Sequence, residues 1–553
     1  MNAARPYTPL WMLLALVALG HLPLMVVPPL TSDEALYWEW SRHLALGYYT
    51  HPPLVGWANA LVLGVLGTSG FTVRLTALGF HLGTLALLYR MTREVTGGQR
   101  VPLLAGLLFA LLPVSLVLGT MTVTDCPLVF FWTATAWLAK RAVIDEQPQL
   151  WYAAGAAAGG MLLSKFFAVL FVPALLAFLL LHPRYRGALA RKEPWLALVI
   201  ALLLFAPFVY WNATHDWLTL QFNLVNRQGH NTLSATKPLL YLAGQLLAAS
   251  PVVFGALVVA LGATLRAAWR GMRGARGAVW QEHDVAAQRA RDSLWYYAVL
   301  TAVPLLLFLP VSLSARIGSH WTAFVMPTGS LVLLAWLYGV PGSAPGAAPP
   351  AVSPAWGAVA GAALRLRWPR TAWAAWVLLL ATTVPLAVVM LHPRVLPQRA
   401  FAYDAARERA ATAAKYWGWR EAGERMGQLR RQYGGLSGGL WFSTRDYSDA
   451  SLLGFYSPGR EQVLLLGYSE REYHGKEFLY WGAPIKGPGS NTIFVMDEPI
   501  FPDNLGRLLP YFRAVRELET LVIRDPRGRV LRKFFFALGQ DYLANEPDVL
   551  SRW

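Results

Sequence analysis

LWMLLALVALGHLPLMVVPPL, residues 10–30, holds no Asp, Glu, Lys or Arg and runs directly into TSDEALYWEWSRHLALGYYTHPPLVGW, residues 31–57. An uncharged apolar run longer than about 18 residues reads as a membrane-crossing helix. Arg5 precedes the run and no small-residue cleavage site comes before Thr31, so the expectation is an uncleaved first span.

Composition extends that reading to the whole chain. Of 553 residues, 55% are hydrophobic and 14% charged, against about 25% charged in soluble domains. The net charge of +17 would suit a nucleic-acid partner if it lay on one soluble face. Instead the basic residues sit in short loops between apolar runs: Arg90 to Arg100, Lys140 and Arg141, Arg184 to Lys192, Arg266 to Arg276, and Arg365 to Arg370. That is the positive-inside pattern and excludes nucleic acid. The single cysteine, Cys126, excludes an internal disulfide.

Placing those loops in the cytoplasm gives spans near 10–30, 72–91, 101–120, 127–141, 151–164, 166–182, 194–211, 239–265, 293–311, 321–339 and 372–391, about eleven in all. The N-terminus is then cytoplasmic and the C-terminus external. Residues 151–182 are too long for one span, and a tight hairpin turning at Ser164 and Lys165 keeps the crossing number even. Residues 54–67 are apolar but short, and read as a helix along the membrane surface. Residues 339–357, rich in Pro, Gly, Ala and Ser, read as a cytoplasmic linker.

From Pro393 the composition becomes that of a soluble domain. A helix is expected over 405–433, strands at GLWFST, QVLLLG and NTIFVMD, and a hairpin turning at Asp525-Pro526-Arg527-Gly528. The expected fold is therefore an all-α polytopic membrane domain, residues 1–392, followed by a small α/β domain, residues 393–553, outside the membrane.

Charges near the external ends of the spans are the candidate chemistry. Asp33 and Glu34 follow the first span among aromatic residues, and are either a solvated acidic turn or a reactive pair. Asp125, in TVTDCPLVFF, sits in a connection of a few residues, where it either caps the next helix or serves the site. Lys165 interrupts an apolar hairpin; it snorkels, pairs with Asp125, or acts on a ligand.

The blocks DEALYWEWSRHLALGYYTHPPLVGW, TDCPLVFFW, LLSKFFAVLFVPA, PFVYWNATHDW and HWTAFVMP occur in this order over roughly residues 10–340. In this the chain resembles bacterial relatives of protein O-mannosyltransferases and of the lipid A aminoarabinose transferase, membrane glycosyltransferases of the GT-C superfamily. The resemblance implies a GT-C fold and a polyprenyl-phosphate sugar donor. It makes Asp33 the acid at the reaction centre, with Glu34 beside it, and Asp125 the second external acid. His51 stands in YYTHPPL, where aminoarabinose transferases carry a Glu-Lys pair, and the preceding loop is shorter here. Their sugar and metal site are therefore not carried over.

Transfer to a hydroxyl needs a base and positive groups for the departing phosphate. Asp33 is the expected base; Lys165, His51, Arg227 and Arg316 are the expected cations, with His320 of HWTAFVMP joining the substrate-binding set. Each cation has an alternative use as a headgroup ligand for membrane lipids. His230 and His320 lack metal-ligand spacing, so no cofactor is expected and a divalent ion is left without support. The expected activity is transfer of a monosaccharide to lipid A, lipopolysaccharide or another envelope glycan at the periplasmic face of a bacterial inner membrane. A transporter or flippase of lipid-linked sugar is the alternative, although such proteins commonly show internal repeats and none is seen here.

Overall fold

The computed structural model describes residues 7–226, 233–274, 282–339, 370–392, 395, 403, 415–466, 475–482, 485–497 and 509–544. The linker at 339–357, apart from Gly339, and residues 405–414 of the helix expected over 405–433 therefore lie outside the described residues; in the rest of that stretch the helix is Trp419–Tyr433, starting only after Gly418, which has φ 87°. The chain sorts into two compact units, one of Met1–Met25, Arg74–Val209 and His230–Ala387, the other of Val26–Val73, Tyr210–Gly229 and Val388–Trp553.

The first unit is helical. Among the described residues five helices are long and apolar enough to cross a membrane: Thr8–Val26, Gly70–Thr96, Lys192–Thr214, Pro251–Arg270 and Val285–Val311. Shorter apolar helices accompany them, including Arg100–Ala110 and Ala323–Tyr338. The chain is a multi-pass membrane protein. Two expected spans are corrected. The span at 101–120 divides into Arg100–Ala110 and Pro113–Leu118, and the span at 239–265 into Thr236–Ala249 and Pro251–Gly274. Both breaks have one cause, since the residue before a proline is driven from the α region. Leu112 is extended at ψ 136°, and Ser250 takes φ 70° and ψ 140°.

At Ser164 and Lys165, where a hairpin turn is expected, the chain leaves the Leu150–Leu162 helix and enters a 3-10 turn at Phe166–Leu170. The sequence of the first of these helices, LWYAAGAAAGGML, explains its packing. A Cβ on Gly155 would collide with the Ala197 carbonyl oxygen, and one on Gly160 would lie 2.7 Å from the Phe131 ring. Small residues permit this close approach in a membrane, where packing drives helix association. The same helix delivers Lys165 at its end.

The second unit holds a sheet of five strands, β1 Leu440–Thr444, β2 Val463–Leu465, β3 Asn491–Met496, β4 Phe512–Arg524 and β5 Val530–Tyr542, in the order β2-β1-β3-β5-β4. β1 pairs in parallel with β2 and β3, whereas β3-β5 and β5-β4 are antiparallel. The β4-β5 hairpin turns at the expected DPRG: Gly528 has φ 80°, and the Asp525 carboxylate accepts from Arg527 N and Arg529 N, both at 2.9 Å. β3 is buried along its whole length, as its apolar sequence NTIFVM requires.

This unit also includes the segment expected to be an external loop, and much of that segment is helical. Ser32–Arg42 forms a helix whose N-cap is Thr31. Its inward residues Tyr37, Trp38 and Trp40 are buried. Trp38 meets Phe455 edge-on at 5.1 Å, Trp40 stacks on Tyr48 at 4.0 Å, and the Tyr456 hydroxyl accepts from Leu30 N at 2.8 Å. A Cβ on Gly56 would lie 3.0 Å from the Trp40 Cβ, so the Leu54–Leu66 helix can approach only because that position is glycine. These aromatic residues form a core with the C-terminal module, and so do more than line a membrane interface.

Candidate active site

Asp125 opens the Asp125–Val143 helix. Thr124 holds the N-cap position without a side-chain cap bond, and the Asp125 carboxylate points elsewhere. Its Oδ2 accepts from Lys165 Nζ at 2.7 Å, with Asp125 3% and Lys165 7% exposed. The Cys126 thiol fixes the same turn by donating to the Leu118 carbonyl at 3.2 Å. Lys165 reaches the acid because its backbone is extended, at φ −163° and ψ 147°, where the helix breaks.

The pair is part of a larger cluster. Lys165 Nζ lies 5.3 Å from the centre of the Phe167 ring, and Phe167 packs on Trp321 at 4.9 Å. His320 Nε2 is 4.0 Å from the same Asp125 oxygen, and its side chain is 48% exposed. Gly318 permits this turn, since a Cβ there would lie 2.7 Å from Trp321 Nε1. The second carboxylate oxygen, Asp125 Oδ1, is buried without a hydrogen-bond partner among the described residues. A buried charged pair is stable only when its remaining lone pairs are used. The cluster thus offers an ammonium already partnered on one side, an imidazole at its open edge, and an unfilled acceptor.

Asp33 and Glu34 have different surroundings. Thr31 and Glu34 form a capping box: Thr31 N and its hydroxyl donate to Glu34 Oε2 at 2.9 and 3.1 Å, and Thr31 Oγ1 accepts from Glu34 N at 3.3 Å. Glu34 is fully buried, whereas Asp33 is exposed in the first turn. A helix N-terminus favours an ionised carboxylate, which suits a proton acceptor. Burial first, and then the Asp33 charge, push the nearby Tyr447 hydroxyl above its usual range.

The other expected site residues are distributed as follows. His51 is partly buried, and its carbonyl accepts from Tyr48 N at 3.3 Å. Arg316 is exposed in the connection that carries His320. Arg227 and His230 lie outside the described residues. No group of three His, Cys, Asp or Glu stands together as a metal cage among the described residues. Sequence reading missed Glu39 and Glu477. Glu39 is held by Arg42 at 3.1 Å, and burial pushes it up to about 8. Glu477 accepts from Tyr49 N at 2.8 Å, and burial pushes it up to about 7. No spacing signal marks either one. The T-x-x-E of the capping box was legible at residues 31–34.

Residues 50–211 match the family described as Dolichyl-phosphate-mannose-protein mannosyltransferase. The chain is 26% identical over 232 residues to the lipid A galacturonosyltransferase RgtD of Rhizobium johnstonii, covering 41% of this chain and 48% of that protein. It therefore spans about half the length of that curated relative. Among solved structures it is similar to ArnT from Cupriavidus metallidurans in the apo state, with TM-score 0.60 and 17% identity over 96% of this chain and 98% of that one. The same protein bound to undecaprenyl phosphate matches with TM-score 0.60 and 15% identity over the same shares. The chain thus shares sequence with the mannosyltransferase family over residues 50–211 and shares the fold of ArnT over nearly its whole length.

Proposed function

We propose that this protein moves a monosaccharide from a polyprenyl-phosphate carrier to lipid A, lipopolysaccharide or another envelope glycan, at the periplasmic face of a bacterial inner membrane. The buried Asp125–Lys165 pair at 2.7 Å, with one carboxylate oxygen unused and His320 beside it, carries the reading. Such a cluster is expensive in a membrane unless it is used. A relative named as a lipid A galacturonosyltransferase and a structural neighbour solved with undecaprenyl phosphate support the substrate classes.

In the proposed reaction an acceptor hydroxyl oxygen attacks the anomeric carbon, whose bond to the carrier phosphate oxygen breaks. Asp33 takes the hydroxyl proton. Lys165 meets the charge that grows on the departing phosphate, with Asp125 setting the ammonium's position and His320, Arg316, His51 and Arg227 as further phosphate or sugar contacts. Glu34 holds the turn that presents Asp33. Residues 1–392 form the catalytic membrane domain and residues 393–553 the periplasmic module, with the N-terminus cytoplasmic.

The test is mass spectrometry of lipid A and envelope glycans from a deletion strain, followed by transfer with purified, lipid-reconstituted protein. Loss of one sugar, restored by the purified enzyme with the matching undecaprenyl-phosphate donor, is the expected result. An unchanged glycan profile together with no transfer from any polyprenyl-phosphate sugar would overturn the reading.

A further inference from the structure

The C-terminal module contains a cavity of about 550 Å3, within the range of roughly 300–1,000 Å3 usual for small-molecule sites. Tyr416 gives it an exposed aromatic wall and Trp419 a ring buried beneath Arg532, while Thr444, Asp449, Asp497 and Arg532 bring polar groups to it. Leu30 and Ser32 line it as well, and Ser32 directly precedes Asp33.

Among the described residues, two almost fully buried side chains of the lining each hold a polar atom without a hydrogen-bond partner. Thr444 is 1% exposed and its hydroxyl lacks a partner; Arg532 is 1% exposed and its Nε lacks one. The rest of the Arg532 guanidinium is spent, with Nη2 donating to Asp497 Oδ2 and Nη1 to the Lys415 carbonyl, both at 2.8 Å. Its plane covers the Trp419 ring at 4.0 Å. Burial, and then the Asp497 charge, push the Asp449 carboxyl well above its usual range. Asp446 is also occupied, accepting from Ser448 N at 2.8 Å as the cap of the Tyr447–Tyr456 helix.

What the cavity offers a ligand therefore includes a hydroxyl, a carboxyl, one guanidinium N–H and aromatic surface, beside the Lys415 and Arg445 side chains. Three cations, Lys415, Arg445 and Arg532, and three acidic residues, Asp446, Asp449 and Asp497, line the cavity, so its formal charges balance and an anion such as phosphate would face as many carboxyl groups as cations. Mixed donors and acceptors beside a ring face match the alternating hydroxyls and C–H face of a pyranose. Buried polar groups without partners are costly, and a ligand that satisfies them gains accordingly.

We propose that this cavity is a saccharide-binding subsite that takes one uncharged hexopyranose unit of the acceptor glycan. The identity of the sugar as acceptor rests on the transferase reading; the binding of a sugar does not. Held beside Ser32, that unit would tether the acceptor next to the segment that carries Asp33.

The experiment uses full-length protein in lipid nanodiscs and saturation-transfer NMR. The probes are methyl glucoside, methyl galactoside and methyl N-acetylglucosaminide, with inorganic phosphate and galacturonate as anionic controls. Saturable binding of at least one neutral glycoside is expected, with no competition from phosphate. Thr444→Val and Asp449→Asn keep shape and should each weaken it about tenfold, the worth of one hydrogen bond. In transfer assays the same variants should raise KM for the acceptor about as much, leaving KM for the donor unchanged. Failure of every neutral glycoside to bind, preferential binding of phosphate, or wild-type glycoside affinity in both variants would overturn the subsite. Glycoside binding that the variants weaken, in a protein that transfers no sugar, would leave the subsite standing and remove the transferase reading instead.

Discussion

Lys165 Nζ donates to Asp125 Oδ2 at 2.7 Å across 40 positions of sequence, and both side chains are buried. The pairing favours one of the alternatives open to each residue, since Asp125 is not the N-cap and Lys165 does not reach a surface unaccompanied. It also changes what mutations report. Lys165→Met alone strands a buried carboxylate, so a destabilisation of about 3–5 kcal/mol is expected. The double variant Asp125→Asn, Lys165→Met removes both charges and should recover most of that loss. Thermal unfolding and single-turnover transfer, measured on single and double variants, separate the roles. Stability that returns without activity supports a role toward the phosphate, and activity that returns with stability assigns the pair to structure alone.

Asp33→Asn keeps the side-chain shape and removes the proton acceptor. Because Asp33 is exposed in the first turn of its helix, stability should fall by no more than about 1 kcal/mol, while transfer should fall about 100-fold to 10,000-fold. Single-turnover rates with donor in excess check this, and a wild-type rate would remove Asp33 from the reaction.

Glu34 allows a sharper distinction between structure and chemistry. Gln at the third helical position completes a capping box as Glu does, so Glu34→Gln should fold and transfer normally. Glu34→Ala should be less stable by about 1 kcal/mol or more, through the lost cap and the orphaned Thr31 donors. Severe loss of turnover in Glu34→Gln at unchanged stability would make the carboxylate a participant.

Glu477 gives the C-terminal module a pH signature. Burial raises its carboxyl from 4.5 to about 7, so the folded state holds a proton that the unfolded state has released. Stability is therefore fully present below pH 4.5 and falls as pH rises to about 7, by an amount on the order of 1–3 kcal/mol. Glu477→Gln, which can still accept from Tyr49 N, should flatten the unfolding profile across that window and be the more stable form at pH 8. An unchanged slope would show that Glu477 does not titrate there.

Membrane sidedness can be tested at two glycines where an added Cβ meets nothing within 4 Å, Gly187 and Gly435. Gly435→Cys should label in intact spheroplasts and Gly187→Cys only after permeabilisation, as the basic loops require. The opposite result would invert the topology. Thr50, although near the aromatic segment, is only 4% exposed and would make a poor reporter.

The membrane character was legible in the sequence because it depends on local composition: a run such as residues 10–30 needs a spanning helix wherever its neighbours lie. The β4-β5 turn was legible for the same reason, since Asp525 to Gly528 carry their own turn chemistry. The breaks before Pro113 and Pro251 were also written locally, in the rule that governs a pre-proline residue, but a hydropathy window averages over them. What only the tertiary structure decided is which distant groups meet. Asp125 and Lys165 pair across a helix break, the Trp38 helix packs on Phe455, and Trp419, Thr444, Asp449 and Arg532 enclose one cavity from more than 100 residues of chain. Chain spacing encodes contacts within a turn or a hairpin. Beyond that, burial and hydrogen-bond satisfaction select partners by their three-dimensional fit, which a linear pattern does not contain.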